Sequence, residues 1–305
     1  MDDGQEQCFT VKGFRFRCTM WKQRDTSLAP CVVLPGLYQT AAQVNGLVVK
    51  HLLSHMTCIV IEPPGLMGTD SLPMEHGPEF LADAVRQVIG GYGLGPVSLV
   101  SISAGTPIGY LTALRFPECV LRSVFIGFVG RPAPRTDNET AISLLDAGRL
   151  ADWADMVLGR LICQDPDRRV RGRAVITSLI RRRIMNGDRS DIEQMIHILR
   201  RNIRHRDWFP GVGLRQPALF FTGEHDTATP PASALQAAAL CADARVTSVR
   251  ESDHMVLLQR PAEVAELVVR HCSGGSLENL PYCHPVEYFG SATPEATSSS
   301  APAPA

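Results

Sequence analysis

The chain has 305 residues, of which 45% are hydrophobic and 20% charged, and its 30 Lys and Arg against 31 Asp and Glu leave a formal charge of −1. That length suits one large α/β domain carrying an insertion. No apolar run approaches the ~18 residues of a membrane helix, so the chain reads as globular and without a membrane span. The start, MDDGQEQ, is acidic and has no apolar region behind a basic one, unlike a secretory signal. Nine cysteines, an odd number without a CxxC pair, argue against a disulfide framework and a zinc site. A reducing cytoplasm is the expected location, no cofactor or metal is called for, and Cys31 and Cys58 are expected as small core residues.

In chain order, CFTVKG and FRFRCTMWK meet at Lys12-Gly13 and predict an antiparallel hairpin at a sheet edge. Short apolar or β-branched runs then recur near 31, 58, 97, 120, 218 and 244, with helix-like segments between them. That alternation predicts an α/β fold with a mostly parallel central sheet covered by helices. It stops over 131–213, where ETAISLLDAGRLADWADMVLGRLI and SDIEQMIHILRRNIRHRDWF read as helices, the second with Ser190 as N-cap. This block is expected as a helical cap inserted into a core made of 1–130 and 214–275. Within 276–290, NLPYCHPVEYFG carries enough aromatic and apolar residues to dock back onto the core. The Ser, Ala and Pro of 291–305 have no apolar face and predict a disordered tail.

The stretch VSLVSISAGTPIGYLTALRF places Ser101, Ser103 and Gly105 at alternate positions where strand passes into helix. A strand, a sharp turn and a helix opening with Pro107 form the context of a nucleophile elbow, here S-x-S-x-G. On the motif alone, an ordinary strand-to-helix turn fits equally well. A serine hydroxyl needs a base, and the base an orienting acid. LFFTGEHDTATPP supplies Asp226 and VTSVRESDHMVLLQRP supplies His254. Ser103, Asp226 and His254 thus follow in the order Ser, Asp, His, each just after a strand, where such sheets gather their sites. Glu224 is the serious substitute for Asp226 as the acid. His197, His205, His225 and His271 are expected to face solvent or to pack on the cap.

Over residues 9–272 these motifs resemble the α/β-hydrolase superfamily with a serine nucleophile. The resemblance implies an oxyanion hole formed by the N–H groups of Leu37, in VVLPGLYQTAAQ, and Ala104. The His common before the loop Gly is Pro35 here. IEPPGLMGTDS is similar to the family's D-x-P-G-x-G-x-S loop and is expected as a Pro-Gly turn that shapes the site. More narrowly, VLPGLYQTAA, IEPPGLMGTDS, LVSISAG and GEHDTAT resemble the rhamnolipid-pathway hydroxyalkanoyloxyalkanoate synthases, which join two hydroxyacyl units taken from acyl carrier thioesters. That likeness implies an acyl-enzyme on Ser103, resolved by the hydroxyl of a second acyl chain or by water. A plain esterase or thioesterase uses the same residues, and a non-catalytic binding module on the same fold is a third reading. Haloalkane and epoxide hydrolases are disfavoured, since they place Asp where Ser103 stands.

Charge is unevenly spread: residues 160–206 hold 13 Arg against 5 Asp and Glu. Without basic and aromatic alternation this does not read as nucleic-acid binding. Arg181-Arg182-Arg183 and Arg200-Arg201 are expected instead as a docking patch for an acidic acyl carrier protein.

Overall fold

The computed structural model describes residues 4–23, 25–26, 28–37, 39–65, 69–130 and 133–291. The hairpin pairs β1 (Gln5–Val11) with β2 (Phe14–Trp21), and Lys12 and Gly13 turn it with φ of 48° and 91°, the doubly left-handed geometry that matches strand twist. Strands β3 (Cys31–Leu34), β4 (Cys58–Glu62), β5 (Val97–Ile102), β6 (Val120–Ile126), β7 (Ala218–Gly223) and β8 (Asp243–Val249) follow. The chain returns as β9 (Glu287–Gly290), so the segment expected to dock does so as an antiparallel strand on β8. The described strands form one sheet in the order β1-β2-β4-β3-β5-β6-β7-β8-β9, parallel from β4 to β8.

Every residue of β3, β4, β5 and β7 is buried, as expected of parallel strands covered on both faces. Val32, Leu34, Ile59 and Leu99 face one apolar core and Val33, Val60, Val100 and Ile102 the other. A helical run of α1 (Ala41–Val44), a π turn and α2 (Lys50–Leu52) covers the second face, and α3 (Pro78–Gly91) and α4 (Thr106–Arg115) cover the first. Cys31 and Cys58 are fully buried in the core.

Between β6 and β7 lie α5 (Arg135–Asp146), α6 (Leu150–Leu161), α7 (Arg173–Met185) and α8 (Arg189–Arg204). The single helix expected from Glu139 to Ile162 is two, because Gly148 takes φ 69° and breaks the run. The expected N-cap Ser190 is also corrected. Asp188 accepts from the Asp191 amide at 2.9 Å while the Asp191 carboxylate takes the Asp188 amide, a reciprocal box that starts α8 two residues earlier. Ala141, Leu145, Trp153, Ala154 and Met195 give this insertion an apolar cluster of its own. After β7 come α9 (Pro231–Ala238), α10 (Val256–Gln259) and α11 (Pro261–Ser273). His271, expected at solvent or on the cap, is instead buried in α11, where burial pushes its imidazole down to about 3. Apart from Ser291, the tail expected over 291–305 lies outside the described residues.

Candidate active site

At the end of β5 the backbone turns sharply, and Ser103 takes φ 45°, a left-handed conformation uncommon for a residue with a Cβ. A short 3-10 turn over Ser103–Gly105 leads directly into α4. The small neighbours have steric causes. A Cβ on Gly105 would lie 2.8 Å from the Leu34 carbonyl oxygen and 2.9 Å from that of Pro35, so only glycine lets the turn press against the end of β3. Ser101 is buried where α4 crosses β5, and a Cβ on Gly109 would overlap its Oγ at 1.9 Å. Thr106 Oγ1 donates to the Ser103 carbonyl at 2.7 Å and accepts from the Val129 amide at 2.9 Å, tying the turn to the loop after β6.

Ser103 Oγ lies 3.0 Å from Nε2 of His254, and Nδ1 of His254 lies 2.9 Å from Oδ2 of Asp226. Asp226 therefore meets the imidazole. Its rival Glu224 accepts instead from His284 Nε2 at 2.6 Å and from the Glu251 amide at 2.6 Å. Asp226 is buried with its acceptor capacity well used: Oδ1 takes the amides of Ala228 and Thr229 at 2.8 and 2.9 Å, and Oδ2 takes the hydroxyls of Thr222 and Thr229 besides the imidazole. Burial alone would raise its carboxyl, but His254 and the two threonines hold it below the ordinary carboxylate range. Burial would lower His254, yet the charge and hydrogen bond of Asp226 raise it above the usual imidazole value. An Nδ1–H donated to a carboxylate leaves the Nε2 lone pair facing the serine, the tautomer that can accept its proton.

Two loops must approach closely for this contact. A Cβ on Gly223 would lie 2.3 Å from the Asp253 carbonyl oxygen, and one on Gly127, at φ 66°, would lie 3.2 Å from Cε1 of His254. Asp253, next to His254 in the chain, carries no signal of its own in the sequence. Its buried carboxylate accepts from Met255 N at 2.9 Å, Gln259 Nε2 at 2.8 Å and, across to the end of α6, Cys163 N at 3.0 Å. It thus joins the His254 loop to the helical insertion. Thr222 and Thr229 were also missed; the run TGEHDTAT held them in plain view, but hydroxyls near a carboxylate carry no signal until the turn closes.

Leu37 and Ala104 line the same cavity as Ser103 and His254. The backbone before Leu37 runs against the serine, since a Cβ on Gly36 would lie 3.6 Å from that of Ser103. This loop is closed by Gln39, whose Oε1 accepts the Gly36 amide at 2.8 Å. The cavity, about 350 Å³, is walled mainly by apolar side chains such as Trp153, Met195, Leu199 and Leu257. A second cavity of about 580 Å³ adjoins it between α1, α7 and α8, and the two share Gln39, Trp153, Leu161, Met195, Met255 and Leu258. Among the described residues no cluster of His, Cys, Asp and Glu could hold a metal ion.

Residues 31–267 match the Alpha/beta hydrolase family. The chain belongs to that family. Similar solved structures include MGS-M2, an alpha/beta hydrolase enzyme from a Medee basin deep-sea metagenome library (TM-score 0.74, 14% identity, covering 90% of this chain and 99% of that one). The enol-lactonase from Burkholderia xenovorans is also similar (TM-score 0.73, 20% identity, covering 88% and 100%). So is a thermophilic esterase from Thermogutta terrifontis (TM-score 0.68, 17% identity, covering 87% and 96%). No curated protein matches the chain. At these identities the solved structures establish the α/β-hydrolase fold, with its helical insertion between β6 and β7.

Proposed function

We propose that this α/β-hydrolase cleaves carboxylic esters or thioesters with apolar acyl groups, using Ser103 as nucleophile, His254 as general base and Asp226 to orient the imidazole. The observation that carries this reading is the unbroken hydrogen-bonded series from Ser103 through His254 to Asp226, opening into a mainly apolar cavity. Ser103 Oγ adds to the carbonyl carbon as its proton passes to Nε2, and the resulting oxyanion is held by the amides of Leu37 and Ala104. Collapse breaks the bond to the alcohol or thiol, which leaves with the proton from His254. Water then adds to the acyl-enzyme with His254 again as base, and the acid is released. Esterase and lactonase neighbours perform hydrolysis in name, which favours water as acceptor.

A second reading keeps the acyl-enzyme but lets the hydroxyl of another acyl chain replace water, as the hydroxyacyl synthase likeness implies. The adjoining cavity of about 580 Å³ favours it, being large enough to take a second chain. An acyl carrier protein is not needed as donor. Of the arginines expected to form the docking patch, Arg181 and Arg200 have acidic partners and Arg201 is buried, while Arg182 and Arg183 are exposed, so the patch is reduced. With all nine cysteines free, a reducing cytoplasm is the proposed setting. Among the described residues no helix is long and apolar enough to cross a membrane.

The test is labelling by a fluorophosphonate probe together with turnover of p-nitrophenyl esters. Labelling at Ser103 and ester cleavage abolished in Ser103→Ala are expected. Activity of that variant within about tenfold of wild type ends the serine mechanism.

A further inference from the structure

Arg201 of α8 is 7% exposed and lines the cavity that holds Ser103 and His254. Its Nη2 donates to the Gly65 carbonyl at 2.8 Å, and among the described residues it has no carboxylate partner, burial being the one influence on its charge. The other arginine on this cavity, Arg160, reaches Asp137 at 3.4 Å. A guanidinium offers five N–H donors, so among the described residues most of those of Arg201 have no acceptor. Burial without a counter-charge lowers its affinity for the proton to about 10, still leaving it a cation at neutral pH. An unpaired buried charge is strongly unfavourable, and this chain makes room for one. A Cβ at position 65 would lie 2.2 Å from Nη1 and 2.9 Å from Cζ of Arg201, so Gly65, at φ 78°, both admits the side chain and supplies its acceptor. Asn202 and His205 also line the cavity, which adds polar character beside Arg201 in an otherwise apolar wall.

We propose that Arg201 recognises a carboxylate carried by the substrate, so that the enzyme's preferred esters are anionic rather than purely lipid-like. The inference rests on the hydrolytic reading of Ser103. A carboxylate entering the cavity forms a forked pair with the guanidinium, restores the missing counter-charge, and sets the distance from anchor to scissile carbonyl.

Two matched ester pairs test it. On the acyl side, mono-p-nitrophenyl hexanedioate is compared with p-nitrophenyl hexanoate. On the alcohol side, the butanoate ester of 4-hydroxybenzoate is compared with that of methyl 4-hydroxybenzoate. Wild type is expected to favour the carboxylate in one pair by about tenfold or more in kcat/KM, the size of a charge-assisted hydrogen bond. Arg201→Met should bring that preference close to parity, mainly through KM, and Arg201→Lys should restore part of it. If Arg201→Met does not fold, Arg201→Lys carries the comparison, because loss of the planar fork alone should lower the preference. A preference absent from both pairs, or one that survives these changes, overturns the proposal. If wild type cleaves none of the four esters, the hydrolytic reading fails and Arg201 is judged by binding. Hexanedioate raising the Tm of wild type but not of Arg201→Met supports the anion site, and no shift in wild type overturns it.

Discussion

The sheet core and the helical insertion build the two walls of one cavity by different means. On the core side, Ser103, Asp226 and His254 stand on turns at the ends of β5, β7 and β8, held by backbone contacts so close that Gly105 and Gly223 leave no room for a Cβ. On the insertion side the wall is made of side chains such as Trp153, Met195 and Leu199, resting on a small cluster separate from the two faces of the sheet. A constraint set by backbone tolerates little change, whereas a wall of side chains is adjustable. The core therefore suits chemistry that must not vary, and the insertion suits the choice of what is bound.

The sharpest break falls on the core. Ser103→Ala should lower kcat/KM for p-nitrophenyl esters by a factor of about 10,000 or more, as loss of a nucleophile does. Its Tm should stay near that of wild type, since Ala occupies the left-handed turn as well as Ser. Asp226→Asn comes next, with an expected loss of about 1,000- to 10,000-fold in kcat, because Asn neither holds the imidazole tautomer nor balances its charge. Glu224→Gln should cost far less, since that carboxylate holds His284 of the returning segment rather than His254. Steady-state rates of the two variants decide between the acids.

The pH dependence separates the same pair from its surroundings. His254 must be neutral to act as base and its affinity for the proton is raised, so kcat/KM should rise with pH along a limb centred above the ordinary imidazole value of about 6.5. A raised His contributes stability that is full below its unfolded value and is lost as pH rises through its folded one. Asp226 is lowered, so its contribution is full above about 3.9 and is lost as pH falls through its folded value. Tm of wild type relative to Asp226→Asn should accordingly peak in the mildly acidic range between them.

A smaller effect is expected where the two walls meet. Asp253→Ala removes a buried carboxylate that serves Met255, Gln259 and Cys163. Unsatisfied buried groups of this kind cost about 1–3 kcal/mol each, so a clear fall in Tm, with ester turnover reduced but present, is the expected result. The smallest change belongs to the surface of the insertion. Arg182 is exposed, and Arg182→Glu should leave stability within about 0.5 kcal/mol and turnover of a small neutral ester essentially as in wild type. A selective loss with a carrier-bound acyl group would restore the docking role expected of this arginine run.

Much of the core was readable in advance because its signals are local. Continuous apolar runs mark strands buried on both faces, Lys12-Gly13 marks a hairpin, and the order of Ser103, Asp226 and His254 follows from strand ends alone. The insertion was readable only as helical. Its signals compete: Asp188 and Ser190 are both good caps, and the phase of α8 chose the first. Gly148 interrupts an otherwise helical pattern, and only its left-handed backbone shows that the helix stops there. The short strand β9 lacks a buried face of its own and exists as a strand because β8 offers an open edge.

By itself the sequence determined the mostly parallel sheet, the insertion after the fourth of its parallel strands, and three residue types suited to a nucleophile, a base and an acid, since each depends on near neighbours in the chain. Tertiary structure alone decided that Asp226 rather than Glu224 meets His254, because these carboxylates, two residues apart, leave one turn in different directions. It likewise decided the fates of Arg200 and Arg201. Adjacent helical residues project about 100° apart, and the packing of α8 against α5 turns Arg200 out to Asp146 and Arg201 into the cavity. A run of arginines looks uniform along the chain; the rotation of one helix about its axis makes one of them a surface charge and the next a buried cation.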